Sequence, residues 1–251
     1  LFGALIIGVP LAAWLVLNAS TFQFLNASLL FSHITQVTAY IALGLLFFQF
    51  VLSSRIRIFE KDIGLDRLFI AHRYVGITGL SFVLIHAVAR TIFELIRRGA
   101  IQVSFGKALG IAAFLLFLLI ATVAMFYKAF GMKYEVWKNM HRAAYFIFPL
   151  AFSHAFVVGG STLLSSTVVR VYLFVLIGVY ALIVATKAIK MIQVRRHPFT
   201  VAEVVPETHD TWTLRFDGPK PDFKPGQFML VNLVRGGEVS EAHPYTISSS
   251  P

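Results

Sequence analysis

The sequence predicts an all-α bundle of six transmembrane helices over residues 1–192, followed by the start of an antiparallel β domain over residues 193–251. Three observations carry this. The 251 residues are 57% hydrophobic and only 14% charged, with a mean hydropathy of +0.76, whereas a soluble domain carries about 25% charged residues. The apolar excess is gathered into runs, and a bilayer core is crossed by about 20 apolar residues in a helix. Beyond Ile192 these runs stop and the pattern alternates as a strand does.

The six runs are roughly 1–17, 33–52, 68–96, 108–127, 140–158 and 168–189. The first residue already lies inside a run, with no basic leader and no A-x-A site, so it reads as the truncated start of a membrane helix and not as a signal peptide. The stretch from Pro198 to Phe216 alternates Thr, Val, Trp, Leu and Phe with polar residues. A Lys-Pro-Gly-Gln turn at 224–227 then leads into Phe228-Met229-Leu230-Val231. Cysteine is absent, which excludes disulfides, thiolate catalysis and Cys-ligated metal clusters.

The net charge of +10 is a topology signal. Arg55, Arg57, Lys61 and Arg67 lie between runs 2 and 3, Lys128, Lys133 and Lys138 between runs 4 and 5, and Lys187, Lys190, Arg195 and Arg196 after run 6. On the opposite side the 1–2 and 5–6 loops have none and the 3–4 loop has only Arg97, Arg98 and Lys107. Eleven against three puts the 2–3 loop, the 4–5 loop and the β domain in the cytoplasm. Nucleic acid is excluded as a partner because no soluble basic-aromatic surface accompanies the charge.

Four of the eight histidines sit inside apolar runs, His72 and His86 in the third, His141 and His154 in the fifth. Ionisable side chains in a bilayer are costly and mark function. Their separations of 14 and 13 residues span about 21 and 20 Å of helix. Both runs cross from inside to outside, so His72 and His141 share one depth, and His86 and His154 the other. One imidazole from each helix at each of two depths suits two flat cofactors, each held through its iron from both faces. A zinc site would gather its ligands at one point.

On the third run, His72, Gly76, Gly79, Val83, His86 and Arg90 share a face. Gly76 and Gly79 admit a broad macrocycle close to the backbone, or serve tight helix packing. On the fifth run, thirteen ideal helical residues leave His154 about 140° from His141. Either a distortion at Pro149 corrects this, or the outer cofactor sits on another flank. Phe148 lies midway in depth, as a spacer between the cofactors or as ordinary packing. Arg73, Lys138, Arg142 and Arg90 are candidates for acidic cofactor substituents; Arg73 and Arg142 are equally explained by the inside charge bias. His33 either borders an outer pocket or is a solvated interfacial residue. His197 and His209 read as surface residues of the β domain.

These residues together resemble the ferric-reductase-like transmembrane superfamily, which includes NADPH oxidases, ferric-chelate reductases and bacterial relatives. The matching pieces are His72-Arg73, the His72/His86 pair, Trp137-Lys138-Asn139-Met140-His141-Arg142-Ala143-Ala144-Tyr145, His154, and His243-Pro244-Tyr245-Thr246-Ile247-Ser248-Ser249. The resemblance implies that His72/His141 ligate an inner haem b and His86/His154 an outer one. It implies that residues 193–251 open a ferredoxin-reductase-like β-barrel binding FAD. There Tyr245 would pack on the isoalloxazine and Thr246 contact its polar edge, with His243, Pro244 and Ser248 in the same motif. The rest of the barrel and an NADPH-binding domain would follow Pro251.

The activity so implied is electron transfer from cytoplasmic NADPH through FAD and both haems to an acceptor across the plasma or inner membrane. Spacings of 14 and 13 resemble the oxidases of prokaryotic type, which reduce O2 to superoxide. Ferric-chelate reduction is the near alternative, and a methionine-sulfoxide-repair haem subunit a third. From another class, a six-helix proton channel or transporter would use the histidines as a relay. Arg90, Phe148 and His33 are the candidates nearest the outer chemistry. The oligomeric state is left open.

Overall fold

A computed structural model describes every residue except 1, 19–25, 55, 57, 58, 60–62, 160–165, 197, 219–222, 224 and 251. Arg55, Arg57, Lys61, His197 and Lys224, which figure in the sequence reading, therefore lie outside the described residues, as do the side chains of Arg195 and Arg196. The chain divides into two units, Leu1–Lys190 and Met191–Pro251.

The first unit is helical. Its elements are α1 (Phe2–Asn18), α2 (Ala27–Ser53), α3 (Leu65–Arg98), α4 (Phe105–Phe126), α5 (Tyr134–His141), a 3-10 segment (Arg142–Phe146) and α6 (Ile147–Val158). A seventh helix, α7 (Thr167–Arg196), runs into the second unit. Among the described residues four helices are long and apolar enough to cross a bilayer: α2, α3, α4 and residues Thr167–Gln193 of α7, as an integral membrane protein requires. The apolar part of α1 is shorter, and the fifth run, expected as one helix, is broken into α5, the 3-10 segment and α6.

Local chemistry sets the ends of these helices. Asn26 caps α2 by accepting from the Leu29 N–H, and Ser104 caps α4 by accepting from that of Lys107. Gly99 ends α3 with a φ of 68°, in the left-handed region where only glycine is unstrained. The core is an aromatic and aliphatic cluster of α2, α6 and α7 built on Phe47, Phe50, Phe148, Tyr172, Leu176 and Tyr180. Between membrane helices, where lipid is as apolar as leucine, polar ties and close packing take over from the hydrophobic effect. Tyr172 donates to the Ile6 carbonyl at 2.8 Å, and Trp14 Nε1 to Gln36 Oε1 at 3.0 Å. Much of α3 faces outward with Tyr74, Ile77, Leu84, Ile85 and Val88 exposed, a lipid-facing stripe.

The second unit holds four strands: β1 (Thr200–Pro206), β2 (Trp212–Asp217), β3 (Phe228–Arg235) and β4 (Glu238–Thr246). β1 pairs antiparallel with β2, and β3 with β4. Gly236 and Gly237, at φ 59° and 85°, make the two-residue turn that a tight hairpin needs. The described strands form two separate two-stranded sheets, so the expected barrel is not present as a closed sheet. Closure requires pairing between distant strands with a consistent stagger, whereas both ladders seen here join sequence neighbours.

Candidate haem-ligating site

The four membrane histidines meet in the two pairs expected from depth. His72 of α3 faces His141 at the end of α5, with ring centroids 6.1 Å apart and planes at 68°. His86 of α3 faces His154 of α6 at 6.2 Å and 79°. A metal–imidazole bond is about 2.0–2.1 Å long and a ring centroid lies about 1.1 Å behind its nitrogen, so two imidazoles on opposite faces of one ion hold their centroids about 6.3 Å apart. Both pairs fit a bis-imidazole iron site. The helices leave space for it: α3 and α6 have no Cα atoms within 8 Å of each other among the described residues, while α3 packs on α2 and α6 on α4.

Three rings are oriented by main-chain oxygens of those neighbours. His72 Nδ1 lies 3.3 Å from the Gln49 carbonyl, His86 Nδ1 2.9 Å from that of Thr35, and His154 Nδ1 2.8 Å from that of Gly106. A proton held on Nδ1 by such an acceptor leaves Nε2 with its lone pair free, the tautomer a metal needs. His141 is held differently, stacked on Trp137 at 5.5 Å and 30°. Gln49 adds a second tie, donating from Nε2 to the His72 carbonyl at 2.8 Å.

The broken fifth run accounts for the register of His154. Five residues of 3-10 helix at about 120° and eight of α-helix at about 100° turn the chain through about 1400°, within about 40° of four whole turns. The 140° mismatch of an unbroken helix is thereby removed. The 3-10 rise also gives about 22 Å between His141 and His154, against about 21 Å between His72 and His86. The correction lies in Arg142–Phe146, ahead of Pro149. Pro149 cannot donate to the Tyr145 carbonyl four residues earlier, and the Tyr180 hydroxyl of α7 donates to that carbonyl instead.

A cleft of about 220 Å³ adjoins the second pair. Its walls are apolar, from Ala42, Leu46, Val83, Phe117 and Ala151. Arg90, Thr91, Glu94 and Lys107 supply its polar part, with His86 and His154. Arg90, singled out from the sequence, lines this cleft. Glu94, which was not, is buried between two cations: Arg90 Nη2 reaches its Oε1 at 2.8 Å and Lys107 Nζ at 2.5 Å. The i,i+4 spacing of Arg90 and Glu94 was the available signal. A smaller cavity adjoins the first pair, lined by Ile120, Val123, Trp137, Met140 and His141.

Other candidates lie elsewhere. Phe148 is fully buried against Phe47, Phe50, Phe152 and Tyr180, in the packing role. His33 is buried rather than solvated, edge-on to Trp14 at 5.5 Å, and is not among the described residues lining the cleft. Gly76 and Gly79 face α2: a Cβ on Gly76 would come 2.9 Å from Gln49 Nε2, and one on Gly79 3.6 Å from Leu45 Cβ. They seat α2, and through Gln49 they support His72. Arg73 is exposed, and Arg142 is exposed with Nη1 donating to Asn139 Oδ1 at 2.9 Å.

In the second unit, His243, Pro244, Tyr245 and Thr246 lie on β4 opposite Val231, Leu230, Met229 and Phe228, and Ser248 follows the strand. All five are exposed, as a surface that receives a ligand requires. His209 is exposed beside Asp210. Among the described residues no three His, Asp or Glu side chains gather around one point, whereas a haem iron needs only two protein ligands.

No curated protein matches the chain. Residues 38–152 match the family described as ferric reductase like transmembrane component. The match takes in His72, His86 and His141 and stops two residues before His154. Family match and geometry coincide on α2 to α6: over residues 38–152 the chain is similar to the ferric-reductase-like transmembrane family.

Proposed function

We propose that this chain carries electrons across the membrane between a cytoplasmic flavin, reduced by NADPH, and an acceptor on the far side, by means of two haems b. The observation that supports this most directly is the bis-imidazole spacing at two depths, 6.1 and 6.2 Å. When bound, the haems supply one-electron carriers, and the protein sets their distance, orientation and field. His72 and His141 would hold the inner one, with Trp137 stacked behind His141. His86 and His154 would hold the outer one, kept in their ligating tautomer by the Thr35 and Gly106 carbonyls. Arg73 and Arg142 would meet acidic substituents of the inner group, and Arg90 those of the outer.

Tyr245 would cover a flavin ring and Thr246 its polar edge, with His243, Pro244 and Ser248 alongside. We assign residues 193–251 to the first part of that FAD domain. With two histidines holding each iron, an acceptor would be reduced without binding the metal. The acceptor we assign is O2, giving superoxide, which the cationic Arg90 at the cleft would favour as an anionic product. A ferric chelate is the second reading, because the same cation also receives an anionic chelate.

Purified protein is expected to give a low-spin haem spectrum and two haems per chain by pyridine haemochrome. Ligand planes at 68° and 79° lead us to expect strongly anisotropic low-spin EPR signals. Absence of tetrapyrrole, or full haem content after replacing all four histidines, would refute the proposal. Dismutase-sensitive cytochrome c reduction against ferric-chelate reduction separates the two acceptors.

A further inference from the structure

We propose that Glu94 is a positioning residue for the outer haem site, binding α3 to the first turn of α4 and setting the charge at the cleft. The proposal rests on reading His86 and His154 as the outer pair. Glu94 lies two turns beyond His86 on α3, and its side chain is 3% exposed. Its Oε1 is shared by Arg90 Nη2 and Lys107 Nζ. A carboxylate this buried is stable only when its charge is met, and here two cations meet it.

Lys107 carries the connection onward. It sits in the first turn of α4, and its Nζ also donates to the carbonyl of Gln102 in the α3–α4 loop. The preceding residue, Gly106, offers the carbonyl that orients His154. An unbroken chain of contacts thus runs from Glu94 through Lys107 and the α4 turn to Gly106 and the outer ligand. The loop it secures also places Ile101 and Val103 on the cleft wall. Glu94 itself lines the cleft, held there by its two cations. It acts by fixing the turn that presents Gly106 and by neutralising one of two cations beside the cleft.

The test is potentiometric titration and EPR of the purified haem-loaded protein. In Glu94→Gln the two cations lose their shared counter-charge. The outer haem should rise in midpoint potential while the inner stays in place, and the outer EPR signal should shift as His154 reorients. Lys107→Gln should lower the outer potential and move the same signal, and Glu94→Asp should restore most of the wild-type values. Should Glu94→Gln fail to assemble, Lys107→Gln carries the test alone. Unchanged outer potential and EPR, or equal shifts in both haems, would overturn the assignment. A wild-type protein without haem would instead sink the two-haem reading, so the two failures are distinguishable.

Discussion

A methyl group added at Gly110 would lie 2.6 Å from Nδ1 of His154 and 2.8 Å from its Cε1. No Cβ tolerates such an approach, and the ring has little freedom to retreat because Nδ1 is tied to the Gly106 carbonyl. Gly110→Ala is therefore expected to remove the outer haem as His86→Ala does. Each variant should keep one haem of two by pyridine haemochrome; retention of both in Gly110→Ala would show that the ring can move aside. At this scale the sequence pointed to the candidate ligands and was silent about what packs around them. Four histidines in apolar runs stand out because an ionisable group there is costly. Gly110, Gln49 and Glu94 do not, since their importance lies in what faces them from another helix. For Phe148 and His33 the sequence left two readings open for the same reason: a depth can be counted along the chain, but the side on which a ring packs cannot.

The broken fifth crossing is the element on which the two-level site turns. One alanine inserted between Ala143 and Ala144 would rotate everything beyond it by about 100–120°. The expected result is loss of the outer haem with the inner retained, since His141 precedes the insertion; two intact haems would show that the 3-10 segment does not set the register. The hydroxyl of Tyr180 is the second support here. Tyr180→Phe leaves the Tyr145 carbonyl without its donor, at a cost of about 1–3 kcal/mol for a buried unmet acceptor, to be read as a lowered Tm. Pro149 advertised a disturbance in the sequence, yet its neighbours Arg142–Phe146 gave no sign of 3-10 geometry. A preference between 3-10 and α-helix is too slight to read locally and is settled by packing. The strands were legible from alternation, and their failure to close was not, because closure depends on pairing between distant segments.

For the molecule as a whole, the uneven distribution of Lys and Arg predicts which way the helices cross. The absence of cysteine makes the orientation directly measurable. A single cysteine at Ala100, beyond α3, should react with an impermeant maleimide in intact cells, and one at Glu135, on α5, only after permeabilisation; the reverse pattern would invert the proposed direction of electron flow. The division into a membrane unit and a β unit follows from the change of period after Ile192, visible without coordinates. How the outer ligands are braced across α3, α4 and α6 required the assembled bundle. One consequence of that bracing concerns how such a protein can diverge. Three imidazoles are steered by peptide oxygens, which every amino acid possesses, so no exchange of side chain at Gln49, Thr35 or Gly106 deletes the acceptor itself. Side chains of α2 and α4 that face away from these rings are therefore free to vary, whereas Gly106 and Gly110, where a Cβ would strike Val157, Val158 or His154, are not.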